Sequence, residues 1–182
     1  MNKTSTNNTP CSRRSLVLLL VVCQALVLTV ASSVYTACSS IDCSVSSRVY
    51  TRYTLLKPTG VADTLRDTLW VHTVRRDGRD TLVLNAAIGL TKLELPISYS
   101  NPEDTLFFNM HGMDGYSATD TVWLKKENYP HFESVDCNVT FFHTVTDVRC
   151  THNALDSISI NYPEVNYDTK TEHFYIYFKD RR

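Results

Sequence analysis

The residue types that can do chemistry are few in this chain, and their spacing is unhelpful. Cys150-Thr151-His152 sets a thiol and an imidazole two positions apart. On an extended strand that spacing puts both on one face, as a Cys–His nucleophile requires. The same pattern is more simply a surface or buried pair inside a strand. Met110-His111-Gly112-Met113 gathers two thioethers and an imidazole, which are soft-metal ligands. The Gly112 and Asp114-Gly115 around it read better as a turn between two strands. The six histidines, His72, His111, His131, His143, His152 and His173, follow no ligand spacing. No GxSxG elbow, HExxH pair, phosphate-binding P-loop or GxGxxG turn occurs. The expectation is a non-catalytic protein with no metal and no cofactor. Trp70, Trp123 and several tyrosines can form a platform on which sugar rings stack, although aromatics in strands serve more often as core or cross-strand pairs.

An Asp followed by Thr or Ser and then an aliphatic residue recurs six times. The aspartates are Asp63, Asp67, Asp80, Asp104, Asp120 and Asp156. Calcium needs six to eight oxygens converging on one point, and no DxDxDG loop is present. The local reading is an Asx turn opening a strand, with the Asp accepting a backbone N–H two residues on. The Thr then takes the polar face and the aliphatic residue the core face.

Six cysteines complete the reactive inventory. Cys11 and Cys23 fall in an N-terminal address. Arg13-Arg14-Ser15 precedes Leu16 to Val30, an apolar stretch broken only by Gln24 and Thr29. A basic lead and an apolar run of this length form the signal-peptide pattern. Thr36-Ala37-Cys38 then resembles a lipobox, which makes Cys38 the expected lipidation site, and Ser39-Ser40 suits a tether. A conventional cleavage after Ser33 and a retained anchor are the alternatives. In an oxidising compartment Cys43 and Cys137 are expected to form a disulfide, since each follows an Asp where a loop meets a strand. Val139 to Thr146 reads as one extended run, so a Cys137–Cys150 bond would need the chain to double back. If Cys38 is not lipidated, three pairings of the four remaining cysteines stay open.

The charge distribution excludes one class of partner. The first 37 residues carry Lys3, Arg13 and Arg14 and no acid, so the remainder holds 15 of the 18 basic residues and all 19 acidic ones. A mildly acidic body lacks the basic patch that nucleic acid requires. About 145 residues remain after the address, enough for one domain with its own core.

That body is patterned with period two. The runs 48–55, 68–74, 81–84, 105–110, 121–125, 139–145, 157–160 and 172–178 are rich in β-branched and aromatic residues. Asp77-Gly78 signals a hairpin, Asp114-Gly115 another turn, and Asn101-Pro102, Tyr129-Pro130 and Tyr162-Pro163 punctuate loops. The reading is a signal peptide over 1–37 with a signal helix, a tether over 38–46, and one domain over 47–182. The domain is all-β, an antiparallel β-sandwich of the immunoglobulin-like kind.

The segments Leu95-Pro96-Ile97-Ser98-Tyr99-Ser100-Asn101-Pro102-Glu103-Asp104-Thr105, Asp120-Thr121-Val122-Trp123, Pro130-His131-Phe132-Glu133-Ser134-Val135-Asp136-Cys137 and Val165-Asn166-Tyr167-Asp168 carry a resemblance. The chain from Cys38 to Phe178 resembles an uncharacterised family of small Bacteroidales envelope lipoproteins, with the Pro130-to-Cys137 segment as its most specific motif. The resemblance implies a signal, a lipobox cysteine followed closely by a second cysteine, and an all-β body. It implies no activity. The function expected is therefore a non-catalytic lipoprotein of the cell envelope, anchored at the outer membrane by lipid and binding another envelope protein or a glycan. A glycan-binding accessory protein and an unrecognised envelope hydrolase are the alternatives.

Overall fold

The computed structural model describes residues 17–24, 48–135 and 137–180. Residues 17–24 are helical and exposed, as expected for the middle of the apolar run. Among the described residues no helix is long and apolar enough to cross a membrane. The rest is an all-β domain of ten strands. They are β1 (Tyr50–Leu55), β2 (Thr68–Val74), β3 (Asp80–Ala87), β4 (Lys92–Pro96), β5 (Glu103–His111), β6 (Ser117–His131), β7 (Thr140–Cys150), β8 (Leu155–Ile160), β9 (Glu164–Val165) and β10 (Phe174–Phe178).

Two sheets pack face to face. One has four strands in the order β4-β1-β10-β8, and the other six in the order β3-β2-β5-β6-β7-β9. The burial of β5 shows why: Asp104, Leu106, Phe108 and Met110 are buried while their neighbours are half-exposed. Alternate side chains leave opposite faces of a strand, so a period-two sequence has one face to bury and one to show. Tyr53, Leu69, Leu95, Phe108, Leu124 and Ile176 are among the side chains that fill the space between the sheets. Each large apolar side chain so enclosed contributes roughly 1.5–3 kcal/mol relative to exposure.

Three features depart from the sequence reading. The β1–β10 pair is parallel, with Tyr53 opposite Phe174 and their rings stacked at 4.8 Å. The sandwich is thus antiparallel except where its first and last long strands meet. A parallel pair needs a long crossover, and the whole intervening domain serves as one. Two strands were not foreseen, the edge strands β4 and β9. Strand β6 is also far longer than its Thr121-to-Lys125 signal, running through Tyr129-Pro130, which reads as loop in sequence. Its last pairing with β5 is Lys125 with Glu103, while its pairing with β7 continues to His131. Pro130 is accommodated because β6 has an open flank there.

The hairpin expectations fare better. Asp77-Gly78 lies in the β2–β3 turn and Asp114-Gly115 in the β5–β6 turn, where Gly78 and Gly115 have φ of 78° and 83°. Asp77 and Asp114 each accept the N–H two residues on, from Arg79 at 3.1 Å and Tyr116 at 3.1 Å.

Candidate functional site

Two of the recurrent aspartates overturn the turn reading. Asp104 and Asp120 are buried, on the same side of their strands as Leu106 and Val122. Period two accounts for it: if the aliphatic residue faces the core, so does the Asp two places before it. Such a carboxylate needs partners from distant chain. Asp120 accepts four bonds from the β7–β8 segment: the Thr151 hydroxyl at 2.7 Å and the backbone N–H groups of Asn153, Ala154 and Leu155 at 2.7, 2.7 and 2.8 Å. Burial alone would raise its carboxyl. The hydrogen bonds from Asn153, Thr151, Leu155 and Ala154 outweigh burial and hold it below the ordinary aspartate range.

Asp104 accepts from the Ser98 N–H at 2.9 Å and from the Ser98 hydroxyl, and lies 3.7 Å from the Lys126 ammonium. Lys126 is wholly enclosed, although it follows a β6 bulge between Lys125 and Lys126. Its ammonium donates to Ser98 O at 2.6 Å, Asn101 O at 2.5 Å and Asn128 Oδ1 at 3.0 Å. Asn128 in turn commits its Nδ2 to Asn101 O, so Oδ1 faces His143 and the His143 Nδ1 at 2.7 Å must carry the proton. Burial first, and the Lys126 charge second, lower the His143 pKa to about 4. Burial likewise lowers the Lys126 pKa, against the pull of Asp104. A perturbed lysine in a cleft would suggest catalysis. Here the three ammonium protons all have protein acceptors, so the group ties the loop 97–102 to β6.

The Cys150–His152 pair does not form a nucleophile. The Sγ–Nδ1 distance is 3.9 Å, and His152 Nδ1 donates to Asp156 O at 2.8 Å, which leaves it no lone pair for the thiol. Burial raises the Cys150 pKa, and Asp120 and Asp156 add to that. The thiol is therefore held protonated and inert. A pocket of about 150 Å³ lies among Arg52, Lys92, Glu94, Lys170 and Glu172. It is well below the roughly 300–1,000 Å³ of ordinary ligand sites. Four of its charged groups are also paired, Arg52 with Glu94 at 2.7 Å and Lys92 with Glu172.

The outer face of the six-stranded sheet has a different character. Trp70, Phe107 and Trp123 each sit between two buried apolar neighbours in sequence, so they point away from the core and take no part in it. Trp70 is opposite Asn109, Phe107 opposite His72 and Thr121, and Trp123 opposite Thr105 and Arg149. Each ring is thus the diagonal neighbour of the next. Diagonal neighbours stand roughly 7–8 Å apart, so the three rings form a straight line of about 16 Å across β2, β5 and β6. His111 meets Trp70 edge-on at 5.0 Å. At the other end the Arg149 guanidinium lies 4.8 Å over Trp123 and bonds Glu103 at 2.9 Å. Between the rings, Asn109 Oδ1 accepts the Thr119 hydroxyl at 2.8 Å, which turns the amide NH₂ outward as a donor. This is an apolar track with polar groups beside it, half-exposed on an open face.

Of the residues singled out from sequence, Cys38 and Cys43 lie outside the described residues. Cys137 is half-buried and disulfide-bonded, while Cys23 and Cys150 are free. Among the described residues no group of three His, Cys, Asp or Glu side chains is placed to hold a metal.

Fold and face together define a two-sheet, all-β sandwich with an open aromatic surface. The chain belongs to a family of unknown function, DUF6452, whose model matches residues 68–178. The match runs from the first residue of β2 to the last of β10, a narrower span than the Cys38-to-Phe178 resemblance. Neither a curated protein nor a solved structure matches the chain.

Proposed function

We propose that this chain is a non-catalytic binding module of the cell envelope, held there by lipid on Cys38, and that the outer face of the six-stranded sheet binds a glycan. The line Trp70, Phe107, Trp123 carries the reading. Pyranose rings present C–H faces that pack on aromatic rings and hydroxyls that seek amides and charged groups at the rim. The track offers both, with Asn109 and Thr105 beside the rings and Glu103, Lys125 and Arg149 at one end. A stable protein partner would instead call for roughly 800 Å² per side with an apolar centre, and these rings alternate with polar residues. A hydrolase would use two carboxyl groups about 5–10 Å apart across a substrate. Glu103 is engaged by Arg149 instead.

The test is affinity electrophoresis of the full chain in gels cast with soluble neutral and acidic polysaccharides. Retardation is expected in at least one. Trp70→Ala and Trp123→Ala should each weaken it about tenfold, roughly 1.4 kcal/mol for one stacked ring. Their melting temperatures should barely change, because neither ring belongs to the core. Unchanged mobility in every gel, or full binding by both variants, sinks the proposal.

The anchored reading includes a Cys43–Cys137 disulfide, which would staple the tether to the domain and stop β1 from fraying. The half-cystine at 137 and the free thiol at 150 support it. Non-reducing peptide mapping is expected to return a Cys43–Cys137 peptide. Cys43 recovered alkylated without reduction would refute the staple.

A further inference from the structure

Strand β1 begins at Tyr50 opposite Pro96, the last residue of β4. The chain therefore enters the domain at the end where loop 97–102 lies. At that same end β5 starts, with Glu103 opposite Lys125, and β6 runs on past it as an arm with β7, which β9 flanks at His143 and Thr144. The six residues from Lys126 to His131 extend this arm by about 20 Å. Beyond it three apolar side chains stand exposed, Phe132 at 69%, Val135 at 98% and Val139 at 40%, with the exposed Glu133 among them. Tyr99, 68% exposed, stands beside the arm with its ring 5.9 Å from that of Phe141, which pairs with Pro130. Cys137 in the tip is disulfide-bonded, and neither free cysteine, Cys23 or Cys150, is its partner. The remaining cysteines, Cys11, Cys38 and Cys43, all precede β1. The first described strand thus starts at the same end of the domain as this tip.

We infer that the tip of the β6–β7 arm, with Tyr99, is a membrane-contact surface. Phe132, Val135 and Tyr99 enter the boundary between headgroups and acyl chains of the leaflet that holds the N-terminal segment. The inference rests on the anchored reading. In that reading the Cys43–Cys137 staple holds the tip five residues, or roughly 17 Å of extended chain, from a lipidated Cys38, so the tip meets the bilayer first. Aromatic side chains favour that interface. Residues 129–139 contain Glu133 and Asp136 but no Lys or Arg, so the attraction is apolar and does not depend on anionic lipid. The consequence is a fixed posture, with the arm down and the β5–β6 turn pointing away.

The experiment uses the processed full chain reconstituted in vesicles of phosphatidylethanolamine and chain-brominated phosphatidylcholine. Trp replaces Phe132 at the tip in one variant and Met113 in the other. Met113 is fully exposed in the β5–β6 turn at the far end. After subtraction of the native tryptophans, Phe132→Trp emission should be quenched at least twofold more than Met113→Trp emission, at low and high salt alike. Equal or absent quenching overturns the inference, and sedimentation of the vesicles separates the causes. Protein that sediments with an unquenched tip leaves the anchor standing and removes the contact. Protein that stays in solution with an unquenched tip removes both. A Phe132→Trp probe shielded from aqueous quencher without vesicles, more so as protein concentration rises, identifies a second copy as the occupant and also overturns the inference.

Discussion

Asp120→Ala should destabilise the domain by roughly 3–5 kcal/mol. The carboxylate accepts from the N–H groups of Ala154 and Leu155, which are buried at the start of β8. Removing it leaves these donors and the Asn153 N–H without an acceptor, and each orphan costs about 1–3 kcal/mol. Asp120→Asn keeps one oxygen but turns an NH₂ toward backbone donors, so it should fall between wild type and Ala. Thermal unfolding is the measurement, with a drop of roughly 10 °C or more expected for the Ala variant. A shift under about 3 °C would show that β8 docks without this carboxylate. The sign of the pH dependence follows. The folded-state pKa is depressed, so the stabilisation is complete above the unfolded value near 4 and is lost as pH falls through the folded value.

The second large effect belongs to the Lys126 network. Lys126→Ala leaves the Asp104 carboxylate without its counter-charge and takes one donor each from the carbonyls of Ser98 and Asn101, and a loss of about 3–5 kcal/mol is expected. Lys126→Met with Asp104→Leu removes both charges while preserving volume, and should recover much of that loss. His143 adds a pH dependence. Its folded pKa of about 4 lies below the unfolded value near 6.5. Between these values the unfolded chain binds the extra proton, so stability falls as pH drops from about 6.5 to about 4, by about 3 kcal/mol in all. His173, lowered by burial and by Arg52, acts in the same direction. Urea midpoints across that window should fall steeply in wild type and less in His143→Gln. Parallel profiles for the two proteins would refute the assignment.

The line of rings on the six-stranded sheet was partly legible. Trp70, Phe107 and Trp123 each lie between two apolar residues, Leu69 and Val71, Leu106 and Phe108, Val122 and Leu124. In a period-two strand that sandwiching assigns the aromatic to the outer face. Their alignment was not legible, because it depends on the registers of β2 with β5 and β5 with β6. The Asp recurrence misled for a related reason. Local hydrogen-bonding propensity favours an Asx turn, but at Asp104 and Asp120 the strand's alternation points the carboxylate inward, and partners 6 to 35 residues away decide its role. The Asx turns occur instead at Asp77, Asp114 and Asp168, beside turn residues rather than strand openings.

What the sequence by itself determined is whatever depends on neighbours a few residues apart. Alternation of apolar residues determines an all-β domain with one buried face per strand, and Asp-Gly pairs determine two of its hairpins. The tertiary structure alone decided the rest. It pairs the first and last long strands in parallel, because packing closes the sheet with whichever edges meet. It carries β6 through Pro130, because that flank has no neighbour to miss the N–H. It encloses Lys126 among Ser98, Asn101, Asp104 and Asn128, because a β6 bulge and the loop 97–102 converge there. These arrangements are set by contacts between residues far apart in the chain, and no local pattern specifies such contacts.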